Sequence, residues 1–212
     1  MAYEDNVFIN CPFDGAYQRL FRALVFAVHD CGFVVRCALE LDDGSEVRID
    51  KIRRIIAESR YGIHDISRTE IDEGSGLPRF NMPLELGLFL GAKQFGGPKH
   101  RAKACLIFDR ERYRYQQFCS DIAGQDIRAH DCDEREVIRG VRDALRSWRP
   151  DRELPGARVM FDRYLGFLDV LPRITRQMRV DSDELTFSDL TTAISEWLKV
   201  HASAQEPAPA AD

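Results

Sequence analysis

The chain has 212 residues, enough for one well-buried core and a small appendage, and its 44% hydrophobic and 31% charged residues are ordinary globular composition. The net charge of −5, with arginines interspersed among acids, excludes the basic excess that a general binder of phosphate backbones carries, so nucleic acid is not expected as a partner. No apolar run approaches the roughly 18 residues of a membrane span, no basic and apolar leader opens the sequence, and the six cysteines form neither a CxxC pair nor a zinc-spaced cluster; a cytoplasmic protein with reduced thiols and no metal is expected.

The first element is the apolar run Val7–Cys11, a buried strand ended by Pro12. Leu20, Phe21, Leu24, Val25 and Val28 mark a helix over 17–30 that Cys31-Gly32 stops. A valine-rich second strand over 33–39 follows, then a polar turn over 40–44. Ile49, Ile52, Ile55 and Ile56 give an amphipathic helix ending near Ser59, and 61–67 a third strand containing His64 and Asp65. A glycine-bearing loop over 68–82 leads to a markedly apolar helix that begins at Pro83 and ends near Phe95-Gly96-Gly97-Pro98. Ala104–Asp109 is a fourth strand, 113–122 a helix, 126–129 a short fifth strand and Glu134–Trp148 a closing helix. This alternation predicts an α/β fold, a doubly wound, mainly parallel five-stranded sheet over residues 1–150. Arg149-Pro150-Asp151 reads as a boundary to a C-terminal helical extension over 151–202, with helices near 157–178 and 183–202. The Ala/Pro-rich stretch over 203–212 reads as a disordered tail.

Open α/β sheets bind ligands beyond the carboxyl ends of their strands. The polar residues delivered there are Asn10, Asp14, Glu40, Asp42, Asp65, Ser67, Asp109 and His130, with Phe13 beside them. The edge is acidic, and neither GxGxxG nor GxxxxGK[ST] is present to cradle phosphates. The sharpest signal is Glu85, a carboxylate in Pro83-Leu84-Glu85-Leu86-Gly87-Leu88-Phe89-Leu90-Gly91, a helix expected to be buried nearly all round. Its first-turn position favours the ionised form, and the plain alternative is a dipole partner paired with Arg79. Asp65 and Ser67 serve equally as caps of the following loop, Phe13 as a lid on the core and Asn81 as a helix cap or ligand contact. His64 reads as a packed strand histidine, and Tyr113 and Tyr115 as helix surface.

The order of these residues resembles two families. The Toll/interleukin-1 receptor (TIR) domain has a first strand like Val7–Cys11, a helix and a strand each ending in serine, like Ile55–Ser59 and Ile63–Ser67, and a helix with a Glu-Leu pair, like Glu85-Leu86. The nucleoside 2-deoxyribosyltransferases are similar in their Glu-Leu-Gly helix start, close to Leu84–Gly87, and in an aspartate at a preceding strand end, like Asp65. The resemblance spans about residues 5–130 and implies a flavodoxin-like, TIR-like domain that cleaves an N-glycosidic bond at a ribose. It implies Glu85 as the catalytic carboxylate and Asp65 or Ser67 on ribose hydroxyls. Phe13 would stack on the base, and Asn10, Asp14, Asp42 and Asn81 would line the substrate. The leading expectation is a TIR-like NAD hydrolase or cyclase of bacterial defence that self-associates, with NAD as substrate rather than cofactor. A nucleoside or nucleotide deoxyribosyltransferase or hydrolase is the alternative, and a non-catalytic nucleotide-binding sensor or scaffold the third reading.

Overall fold

The computed structural model describes residues 3–41, 43–71, 74, 76–181 and 184–202. Its elements are β1 (Asn6–Asn10), α1 (Gln18–Asp30), β2 (Val34–Arg36), α2 (Arg48–Glu58), β3 (Tyr61–Asp65), α3 (Asn81–Phe95), α4 (Pro98–Arg101), β4 (Ala104–Asp109), β5 (Ile127–Ala129), α5 (Glu134–Trp148), α6 (Ala157–Met178) and α7 (Phe187–Ala202). The five strands form one sheet in the order β2-β1-β3-β4-β5, and every pairing is parallel. This is the doubly wound, flavodoxin-like α/β order, whose topological switch lies between β1 and β3.

The strands alternate strictly between two helical layers. Val7, Ile9, Tyr61, Ile63 and Phe108 pack in the cluster that also holds α1, α5, α6 and α7. Phe8 packs on the other side with Ile52, Ile55, Ile56 and Phe89, from α2 and α3. Burial on both faces explains why every residue of β1 and β3 is buried, and why these strands read as continuous apolar runs. Gly62 is required where α3 crosses β3. A Cβ there would lie 2.6 Å from the His64 ring and 2.9 Å from the Phe89 ring. Gly62→Ala is therefore expected to lower stability by about 1–3 kcal/mol, read from the urea midpoint.

The C-terminal helices share the core of the sheet domain. Met160, Tyr164, Phe167, Leu171, Leu190, Ala193, Ile194 and Trp197 join the same cluster as Leu24 and Val25 of α1. Phe26 touches the rings of Tyr164, Phe167 and Trp197. Helix α1 thus lies between the sheet and a second layer of helix, and Ala23–Val28 are all buried.

Three expectations are corrected. The segment expected to be one helix over 113–122 forms two 3-10 turns, Arg114–Gln117 and Ser120–Ile122. Tyr113 adopts a left-handed backbone (φ 64°) and Arg114 is drawn inward to Asp109, which breaks a continuous helical path. Helix α3 begins at Asn81, two residues before Pro83, with Phe80 at the N-cap and no side-chain cap, so Asn81 does not cap it. Nor is α3 buried all round. Met82, Glu85, Leu86 and Phe89 are buried, while Phe80 at the N-cap, Leu84 and Phe95 are more than half exposed. The expected tail over 203–212 and the residue Asp42 lie outside the described residues.

Candidate active site

The structure divides the predicted site residues between the two faces of the sheet. On the α2/α3 face, β1 ends in buried Asn10, whose amide nitrogen donates to the Met82 carbonyl at 2.8 Å and contacts His64 Nδ1 at 3.1 Å. The first contact fastens the start of α3 to the C-terminal end of β1, at the switch between β1 and β3. The second fixes the His64 proton on Nε2, which has no hydrogen-bond partner. Burial, and then the nearby Lys103 ammonium, lower the His64 pKa to about 3, so the ring is neutral and packs edge-on to Phe8 and Phe89. It is the packed strand histidine that the sequence suggested.

Glu85 lies one turn into this anchored helix and is only 6% exposed. Among the described residues it has no ion pair and no hydrogen bond, so the pairing with Arg79 is not formed. Desolvation raises its pKa to about 7, opposed by the charge of Arg48 at the start of α2. The expected first-turn stabilisation of the carboxylate is absent because α3 starts earlier than Pro83. Glu85 then falls in the second turn, where the helix-end dipole has faded. Its charge also reaches the Cys11 thiol, which burial already pushes far above its usual range.

Asp65, Ser67 and Asp14 lie on the other face, with α1 and α5, and Phe13 packs against the clusters of both faces. Asp65 is fully buried and each of its carboxylate oxygens accepts a hydrogen bond. One oxygen accepts the Ser67 N–H at 2.8 Å; the other accepts the Tyr17 hydroxyl and lies 3.0 Å from His130 Nε2. His130 Nδ1 in turn accepts the Cys132 N–H at 3.0 Å, which puts the ring proton on Nε2, close to Asp65 but without a hydrogen-bond partner among the described residues. Asp131 and Cys132, both left-handed (φ 48° and 58°), form the turn that presents this amide. Despite the desolvation that opposes it, these donors hold the Asp65 carboxyl below the ordinary carboxylate range. Asp65 therefore works here as the junction of three elements, the loop-capping role named as its alternative. Asp14 accepts the Tyr17 N–H at 3.2 Å and pairs with Arg68 at 3.2 Å. Phe13 packs edge-on to Phe21 against the core, as a lid would, and Asn81 is exposed.

The acidic edge is neutralised residue by residue. Asp109 is buried, raised by desolvation and pulled back by Arg114 at 2.6 Å. Arg36 forks onto Glu40 at 2.6 and 2.7 Å and reaches Glu58 at 2.9 Å, and Arg110 pairs with Glu70 at 2.8 Å. A cavity of about 170 Å³ opens at this edge between Tyr17, Ser67, Arg68, Arg110 and Cys132, and Glu85 does not line it. Sequence reasoning missed Tyr17 and Arg114, since a tyrosine at a helix start and an arginine in an Arg/Tyr run carry no local mark of long-range partners. No group of described residues could hold a metal ion, and the six cysteines are free, three buried and Cys132 exposed. No helix among the described residues is long and apolar enough to cross a membrane.

Compared with models of known families the chain matches none, and a search of curated proteins likewise finds no match.

Proposed function

We propose that the chain cleaves the N-glycosidic bond of a ribosyl substrate, NAD first among them, with Glu85 opposite the anomeric carbon. The observation that carries this reading is a nearly buried carboxylate with no ion pair and no hydrogen bond among the described residues, beside the topological switch of a doubly wound sheet. As the C1–N bond of NAD breaks, its electron pair returns to the cationic nicotinamide nitrogen, so no general acid is required. Positive charge develops on the sugar, and a desolvated carboxylate stabilises it strongly. Water, or a hydroxyl of the substrate, then adds to C1 and releases a proton. Arg48, the cation whose charge already reaches Glu85, is available to a diphosphate. Self-association and a role in defence belong to this reading through the TIR resemblance.

A nucleoside or 2-deoxynucleoside as substrate is the second reading, favoured by the pairing of Arg36, Arg68, Arg110 and Arg114 with carboxylates, which leaves little positive charge on the rim for phosphates. Both are tested by incubating the protein with NAD and, separately, with deoxynucleosides while following released base. Nicotinamide release that falls at least a hundredfold in Glu85→Gln supports the first, and free nucleobase or base exchange supports the second. No release from either, with wild type and variant alike, sinks both. Because the ionised form is the active one, the rate is expected to climb about tenfold per pH unit below pH 7 and level off above it.

A further inference from the structure

We infer that the outward face of α3 is a homodimer interface, in which two copies pack their α3 helices antiparallel across a two-fold axis. This deepens the self-association in the proposed function by naming its surface; it does not depend on the chemistry of Glu85.

At 3.6 residues per turn, Phe80, Leu84, Gly87, Gly91 and Phe95 fall within an arc of roughly 80°. This arc lies opposite the buried set Met82, Glu85, Leu86 and Phe89. Phe95 is 88% exposed, Leu84 57% and Phe80 52%. Leu77 and Ile71 are also more than half exposed, and Ile71 bridges to Pro78 just before the helix. No charged side chain interrupts the arc. A helix apolar on both faces is the composition of one covered on both faces, and the described residues cover only one.

The size and pattern of the face select a second copy as its occupant. Side chains of this kind expose on the order of 200 Å² each when free, so the face amounts to roughly 600 Å² per copy. A pair of copies would bury about 1,200 Å², the lower bound of a stable specific interface. The pattern is also self-complementary about the point midway between Gly87 and Leu88. In an antiparallel pair Phe80 meets Phe95 of the other copy and Leu84 meets Gly91. A two-fold interface demands this reciprocity, residue i on j and j on i, with large on small where the helices cross. Gly87 and Gly91 have open space where a Cβ would sit, so each is a vacant notch on the single chain.

Sedimentation velocity on the full chain, from low to high micromolar concentration, tests the inference. Wild type is expected to pass from monomer to dimer. Gly91→Leu fills the notch. It meets nothing in the monomer and favours the helix, so the melting temperature of the monomer holds or rises while dimerisation weakens at least tenfold. Adding Leu84→Ala to Gly91→Leu reverses the large and small partners and is expected to recover most of the dimer. A wild-type chain that stays monomeric overturns the inference, as does a Gly91→Leu chain that dimerises as well as wild type. Failure of the double variant to recover overturns the antiparallel register. Mass is the readout, so loss of base release in Glu85→Gln leaves these outcomes unchanged, and the two readings fail separately.

Discussion

At pH 8 the Glu85→Gln variant is expected to be more stable than wild type, by as much as about 3 kcal/mol, with the difference gone near pH 4. The sign follows from the raised carboxyl. Its ordinary value is 4.5 and burial lifts it to about 7. Between those values the folded chain holds a proton that the unfolded chain has released. Wild-type stability therefore falls as pH rises from 4.5 and levels off above 7, where the charged form is forced into its desolvated place. An amide of the same shape has no proton to lose and escapes this penalty. Urea midpoints across the pH range measure it. Equal midpoints for wild type and variant at pH 8 would mean that Glu85 is solvated or paired in solution, and the catalytic proposal would fall with it. Paired with the loss of base release, the result describes a group that the fold tolerates at a cost, as sites that concentrate charge for chemistry do.

The second large effect is expected from Asp65→Ala, about 3–5 kcal/mol of lost stability. The substitution strands the Tyr17 hydroxyl and the Ser67 amide without their shared acceptor and removes the charge beside the His130 ring in a fully buried place. Here the pH sign is opposite to that of Glu85. The Asp65 carboxyl sits below its ordinary range, so its contribution is complete above about pH 4 and is lost as pH falls through the folded value. The two carboxylates together bend the stability curve toward a maximum near pH 4–5. A variant that unfolds at the wild-type urea midpoint would show that the junction contributes nothing. His130→Ala, which removes the neighbouring ring and leaves both hydrogen bonds to the acceptor, is expected to cost less.

The fold was legible because strands buried on both faces appear as uninterrupted apolar runs and their helices as 3.6-residue stripes. β4, α5 and α6 occupy the spans that the periodicity marks, 104–109, 134–148 and 157–178. α6 runs through Pro172 because packing on its buried side outweighs one lost backbone bond. What the sequence obscured was anything depending on distant partners. The segment over 113–122 carries helix-forming residues, yet Arg114 is committed to Asp109, Thr69 and the Ile66 carbonyl, and the backbone follows it inward. The candidate site was half legible. Glu85 stood out as a lone acid in an apolar helix, a purely local contrast. Asp65 stayed open between loop cap and ligand contact, because nothing in the residues around it announces Tyr17, 48 positions earlier, or His130 just after the last strand. The start of α3 two residues before Pro83 then reversed the electrostatics expected at Glu85, a change that no boundary judged from sequence could resolve.

The layered position of α1 sets a rule for cutting the chain. A fragment stopped at the Arg149-Pro150-Asp151 connection would keep every strand and still present Phe26, together with the outer side of an almost wholly greasy helix, to water. Such a fragment should come out of cells as inclusion bodies, whereas expression limits placed beyond α7 keep that helix wrapped.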